Sequence, residues 1–168
     1  AWVRRAAEDG SDRVVMLTLD VNKDINACVW SGTSWGAVQE FETDVGHADV
    51  RAMDVVCPPG GGALAAFIQN SQNAIRYRSL SGSTWSAEQV GPNLGDAVMI
   101  VEAMAGASAG EAWVMASDAG TDLSILRWNG STLTLSSTLS TQLGGDPKSQ
   151  AFMACVPAAG NAARPRIV

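Results

Sequence analysis

The apolar residues of this chain fall in short runs, and each run ends in a cluster of small or polar residues. Met53–Cys57 leads into Pro58 to Gly62, Ala63–Ile68 into Gln69 to Asn73, and Ile75–Leu80 into Ser81-Gly82, after which Trp85 opens a further run. Runs this short are strand-sized, and Gly, Asn, Asp and Ser supply turns that accept positive φ. The pattern therefore predicts about four antiparallel strands in roughly 50 residues, joined by hairpins. The second run of each group is apolar at nearly every position, which predicts a strand buried on both faces.

This grammar repeats. A shift of about 50 residues lays Ser31-Gly32 on Ser81-Gly82, Ile25 on Ile75 and Trp35 on Trp85; a further shift of about 48 brings Asn129-Gly130 to the same place. Cys155 then matches Cys57 and Pro157 matches Pro59, as though a fourth copy begins. Val98–Ser117 is rich in Ala and Met, but Gly106 and Gly110 interrupt it. The stretches aligned with it hold β-branched runs and Pro58-Pro59, so it too reads as strand. The expected fold is all-β: a β-propeller-like repeat of about three four-stranded antiparallel blades plus the start of a fourth. The units lie at about 1–49, 50–97, 98–147 and 148–168, within a single repeat domain or propeller segment.

Three positions recur around the small-residue turn. Bulk precedes it at Trp30, Leu80 and Trp128; glycine sits within it at Gly32, Gly82 and Gly130; bulk returns at Trp35, Trp85 and Leu133. The last set is expected to wedge between neighbouring sheets, as large apolar anchors do. Closed propellers typically have about 4–8 blades, so three and a fraction leave open edges. The expected partners are therefore other copies of this chain or further blades of the same polypeptide.

Composition narrows the picture further. Of 168 residues, 46% are hydrophobic and 17% charged, which suits a packed domain. A net charge of −6 with nine scattered arginines and only Lys23 and Lys148 offers no basic stripe for nucleic acid. No apolar run approaches the ~18 residues of a membrane span. Cys28, Cys57 and Cys155 lack metal-ligand spacing and read as small buried residues. Cys57 and Cys155 hold equivalent first-strand positions with Ala105 between them, a whole blade apart, so no bridge between them is expected.

Candidate chemistry is thin. Asp20, Asn22 and Asp24 have the oxygen spacing that opens calcium loops, but Ile25 and Ser31 stand where Gly and Glu are needed, so a polar hairpin is the reading. His47, the sole histidine, lies between Asp44 and Asp49 with no second His to complete a zinc site. No nucleophile pairs with a base, so no catalytic residue and no cofactor is expected. Asn129-Gly130-Ser131 fits the N-glycosylation pattern on a turn. Trp30, Arg76, Arg78 and Trp128 are the residues that would serve a sugar between blades, by stacking and charge-assisted hydrogen bonds.

The Trp-x-Gly-x-x-Trp motif of Trp30–Trp35 resembles the tandem propeller repeats of large secreted bacterial and archaeal surface proteins. Ala1–Asp20, "AWVRRAAEDGSDRVVMLTLD", is similar to their QWV-like blades and Val50–Phe67, "VRAMDVVCPPGGGALAAF", to their FDV-like blades. The resemblance implies a propeller-like fold and a secreted or cell-surface setting, with no activity attached. Gly82–Trp85 also resembles the tail of the Asp-box of sialidase-type propellers, although Leu80 replaces the diagnostic Asp. The first expectation for function is thus a non-enzymatic extracellular structural or adhesion module, part of a larger surface protein or fibre. The alternative is a carbohydrate-binding, lectin-like propeller, and a glycosidase-type remnant comes third.

Overall fold

The computed structural model describes residues 1–139 together with the backbone of Cys155–Pro157 and Pro165–Ile167. The described residues form strands and no helix. The first sheet joins β1 (Trp2–Ala7), β2 (Val14–Leu19), β3 (Ile25–Trp30) and β4 (Gln39–Glu42) in sequence order. The second joins β5 (Met53–Val56), β6 (Ala63–Phe67) and β7 (Ala74–Ser81), and β7 then pairs with both β8 (Thr84–Trp85) and β9 (Gln89–Asn93). The third joins β10 (Val98–Ala105), β11 (Ala112–Asp118), β12 (Leu123–Trp128) and β13 (Leu133–Leu139), so the Ala- and Met-rich stretch is two strands. β14 (Cys155–Pro157) pairs with β15 (Pro165–Ile167). All pairings are antiparallel, as connections this short require.

The recurrent turn has a common build. Trp30 bridges Trp35, Leu80 pairs with Trp85 and Trp128 pairs with Leu133, so in each copy two bulky residues face each other across the hairpin. The turn glycines have φ of 99°, 56° and 95° at Gly32, Gly82 and Gly130, a region where a Cβ is strained. In the first and third copies the residue before the glycine caps the turn. Ser31 Oγ accepts the Ser34 N–H at 3.2 Å, and Asn129 Oδ1 accepts the Thr132 N–H at 2.9 Å.

Sheets pack in series through these same residues. Trp85 meets Phe41 of β4 edge-on at 4.9 Å, and Trp128 meets Tyr77 of β7 in the same manner at 5.5 Å. Leu133 lies over Gly91 of β9, close enough that a Cβ there would come within 3.5 Å of its Cδ2. One apolar core runs from Leu17 through Phe67 to Leu126. The innermost strands are also joined by charge. Arg4, Asp54 and Glu102 share one repeat position; Arg4 lies 3.9 Å from Asp54 and 4.0 Å from Glu102, and Arg51 also pairs with Glu102. Burial pushes the Asp54 carboxyl up, opposed by the Ala103 N–H donated to its Oδ2 at 2.8 Å.

Two expectations need correction in the first sheet. β6 and β11 are buried at every residue, but β2 alternates between half-buried and buried positions, so only one of its faces is covered. Trp35 does not wedge between sheets: it is 51% exposed, against 8% for Trp85 and 5% for Leu133. The cause is common to both. Trp85 and Leu133 each have a preceding sheet to seat on, whereas the first sheet has its described neighbour on one side only.

Candidate ligand site at the sheet junctions

Antiparallel order brings the loops β1–β2, β5–β6 and β10–β11 to the same end of the sheets as the turns after β3, β7 and β12. Among the described residues, two cavities open there. One, of about 410 Å3, is lined by Glu8, Arg13, Gly62, Gly82, Trp128 and Gly130 among others. The second, of about 380 Å3, lies between the first two sheets and is lined by Arg13, Ser31, Ser34, Gln39, Ser83 and Trp85 among others. Arg13 and Gly82 belong to both.

Arg13 is fixed from two directions. Its Nη1 donates to Glu8 Oε2 at 3.1 Å, and its Nη2 donates to the Gly82 carbonyl of the second sheet. Glu8 in turn accepts the Gly62 N–H of the second sheet at 2.8 Å and the Ser11 hydroxyl at 2.9 Å. The Gly62 amide, with help from Ser11 and Arg13 and against desolvation, holds the Glu8 carboxyl below its usual range. Carboxylate, guanidinium, amide and hydroxyl groups thus converge near a tryptophan wall. Such a mixture suits a small polar ligand.

The four residues singled out for a sugar are not brought together. Trp128 lines the first cavity. Trp30 packs on Trp35 with ring centroids 5.5 Å apart and lines neither cavity. Arg78 lies over the Phe41 ring at 4.8 Å, and Arg76 points to Glu88 at 3.9 Å. Both arginines thus serve packing between or within sheets rather than either cavity. Glu8, Arg13 and Gln39 were missed as lining residues, and Trp85, expected as a wedge between sheets with sugar stacking as the alternative, lines the second cavity. Recurrence from copy to copy could not have found Glu8 or Arg13, since Glu8 aligns with Pro58 and Gly106, and Arg13 with Ala63 and Glu111.

The remaining candidates lie elsewhere. Asp20 Oδ1 accepts the N–H groups of Asn22 at 2.8 Å and Asp24 at 3.0 Å, closing the β2–β3 hairpin at the opposite end. His47 Nδ1 lies 3.9 Å from Asp49, and Asp44 accepts the Asn70 side-chain amide at 2.9 Å. Among the described residues no three His, Cys, Asp or Glu groups gather closely enough to hold a metal. Asn129 is exposed, with its Oδ1 turned to the backbone of its own turn. Burial raises the Cys28 thiol, and burial with Glu8 nearby raises that of Cys57 to about 11. The Cys155 side chain lies outside the described residues.

No family model matches the chain, and no curated protein matches it. Solved structures do. The chain resembles the Aleuria aurantia lectin, a fungal lectin described as a six-bladed β-propeller with a novel fucose recognition mode, at a TM-score of 0.56 and 11% identity over 91% of this chain and 49% of that one. It also resembles an N224Q mutant of the same lectin in complex with α-methyl-L-fucoside, at 0.54 and 12% over 79% and 44%. The chain therefore spans about half the length of these structures, and the shared feature is the propeller fold.

Proposed function

We propose that the chain is a carbohydrate-binding, lectin-like segment of a β-propeller, non-enzymatic and working outside the cell. A fold neighbour that is a lectin, seen in two structures, supports this reading over a purely structural or adhesive module, and over a glycosidase remnant. The observation that carries it is the pair of cavities around Arg13, where a guanidinium, serine hydroxyls and the Gln39 amide line concave space at the sheet junction. A pyranose presents several hydroxyls, and such donors and acceptors can pair with them. The likeness to bacterial and archaeal surface repeats, and the secreted or cell-surface location it implies, rest on the sequence motif alone.

A glycan array probed with the purified chain, followed by calorimetric titration of the best sugar, tests the reading. Methyl α-L-fucoside, which one neighbour binds, is the first ligand to titrate. The expected result is saturable binding to one sugar class, weakened at least about tenfold by Gln39→Ala combined with Ser34→Ala. Absence of binding across the array, or binding indifferent to both substitutions, would overturn it.

A further inference from the structure

The β7–β8 turn stands between the two cavities. Ser81 lines the first and not the second, Ser83 lines the second and not the first, and Gly82 between them lines both. Arg13 is the other residue they share. Its Nη2 donates to the Gly82 carbonyl, so the side chain and the tip of the turn meet and form the divide. The space around that tip is open: a Cβ added at Gly82 would find no atom within 4 Å. Arg13 also has donors to spare. Its bonds to Glu8 and Gly82 take at most three of the five N–H groups of a guanidinium, which leaves others for an oxygen of a ligand lying across the divide.

We infer that the two cavities are adjoining subsites for one oligosaccharide, with consecutive sugar residues in the two cavities and Arg13 at the linkage between them. The inference rests on the carbohydrate-binding reading above and goes beyond it by fixing the size of the ligand. Volumes of about 410 and 380 Å3 fall near the lower end of small-molecule sites, so each suits one sugar residue better than a longer stretch. Two separate monosaccharides would contend for the one guanidinium, whereas two linked residues share it. Linkage also makes capture of the second residue intramolecular, which raises affinity without any new contact. Arg13 comes from the loop after β1 and Ser81 to Ser83 from the turn after β7, so the divide is built wholly within the first two sheets.

Calorimetric titration of the purified chain tests this with the methyl glycosides of fucose, galactose, glucose, mannose and N-acetylglucosamine, each beside disaccharides that contain the same residue. In the sugar class that binds, a disaccharide should bind at least about tenfold more tightly than the methyl glycoside, at one molecule per chain. Ser81→Tyr fills the first cavity and Ser83→Tyr the second, both from exposed positions at the turn. Each should bring the disaccharide's affinity down to that of the methyl glycoside while the melting temperature stays unchanged. A methyl glycoside that binds as tightly as its disaccharide, or two disaccharides bound per chain, overturns the inference and leaves the carbohydrate reading standing. So does a disaccharide whose affinity survives either substitution. Silence from every probe overturns both.

Discussion

Trp85 meets the Phe41 ring edge-on and keeps almost none of its surface in solvent, while Trp35 leaves half of its surface exposed. The two residues close the same turn in the same register, so their difference in worth comes from what lies over each ring and not from the hairpin. Removing a large buried aromatic costs about 3–5 kcal/mol through lost transfer energy and the cavity left behind. Trp85→Ala should therefore consume much of a margin that is ordinarily about 5–15 kcal/mol, lowering the melting temperature sharply or preventing expression. Trp35→Ala should cost less than about 1 kcal/mol, since an exposed ring forfeits little on truncation. Thermal denaturation of the two side by side decides it, and equal losses would contradict the burial that separates them.

At the scale of elements, the β1–β2 loop ties the first sheet to the second through two long-range bonds, Glu8 to the Gly62 amide and Arg13 to the Gly82 carbonyl. A carboxylate bonded to a backbone N–H and a guanidinium should lose about 1–2 kcal/mol on Glu8→Gln at neutral pH. The sign of its pH dependence follows from the lowered folded-state value. The folded protein binds the Glu8 proton less readily than the unfolded chain, so the bond's contribution is complete above the ordinary 4.5 and fades as pH falls through the lowered value. Urea unfolding of wild type and variant from neutral pH down to below 4 should show the gap narrowing; a gap constant with pH would place the cost outside the carboxylate's charge. These two ties also mark where the sequence stops being informative. The strands and the three small-residue turns were legible because each is written in local apolar runs and turn residues, and the repeat fixed their common register. Glu8 and Arg13 were not, because their partners lie 54 and 69 residues away and neither residue recurs in the other copies. Trp35 and β2 were misjudged for a related reason: identical local patterns were taken to imply identical burial, but burial depends on the sheet next door.

The whole molecule is a short stack in which the middle sheet is packed on both sides and the first on one. Cooperative stability should grade along it, because amides open most readily where few buried contacts hold a strand in place. β6 and β11, buried at every residue, should exchange their amide hydrogens slowest. β1, which alternates half-buried with exposed residues, should exchange ahead of its counterparts β5 and β10, even though all three pair with a neighbour along their length. The ion network of Arg4, Asp54 and Glu102 opposes that grading, since it fastens β1 to the two strands that are better covered. Partly exposed ion pairs are worth about 0–1 kcal/mol, less than the apolar cover that β1 lacks, so the grading should survive. Hydrogen exchange therefore gives the order β1 before β5 and β10. Uniform exchange over the three inner strands would mean that the open face costs the first sheet nothing.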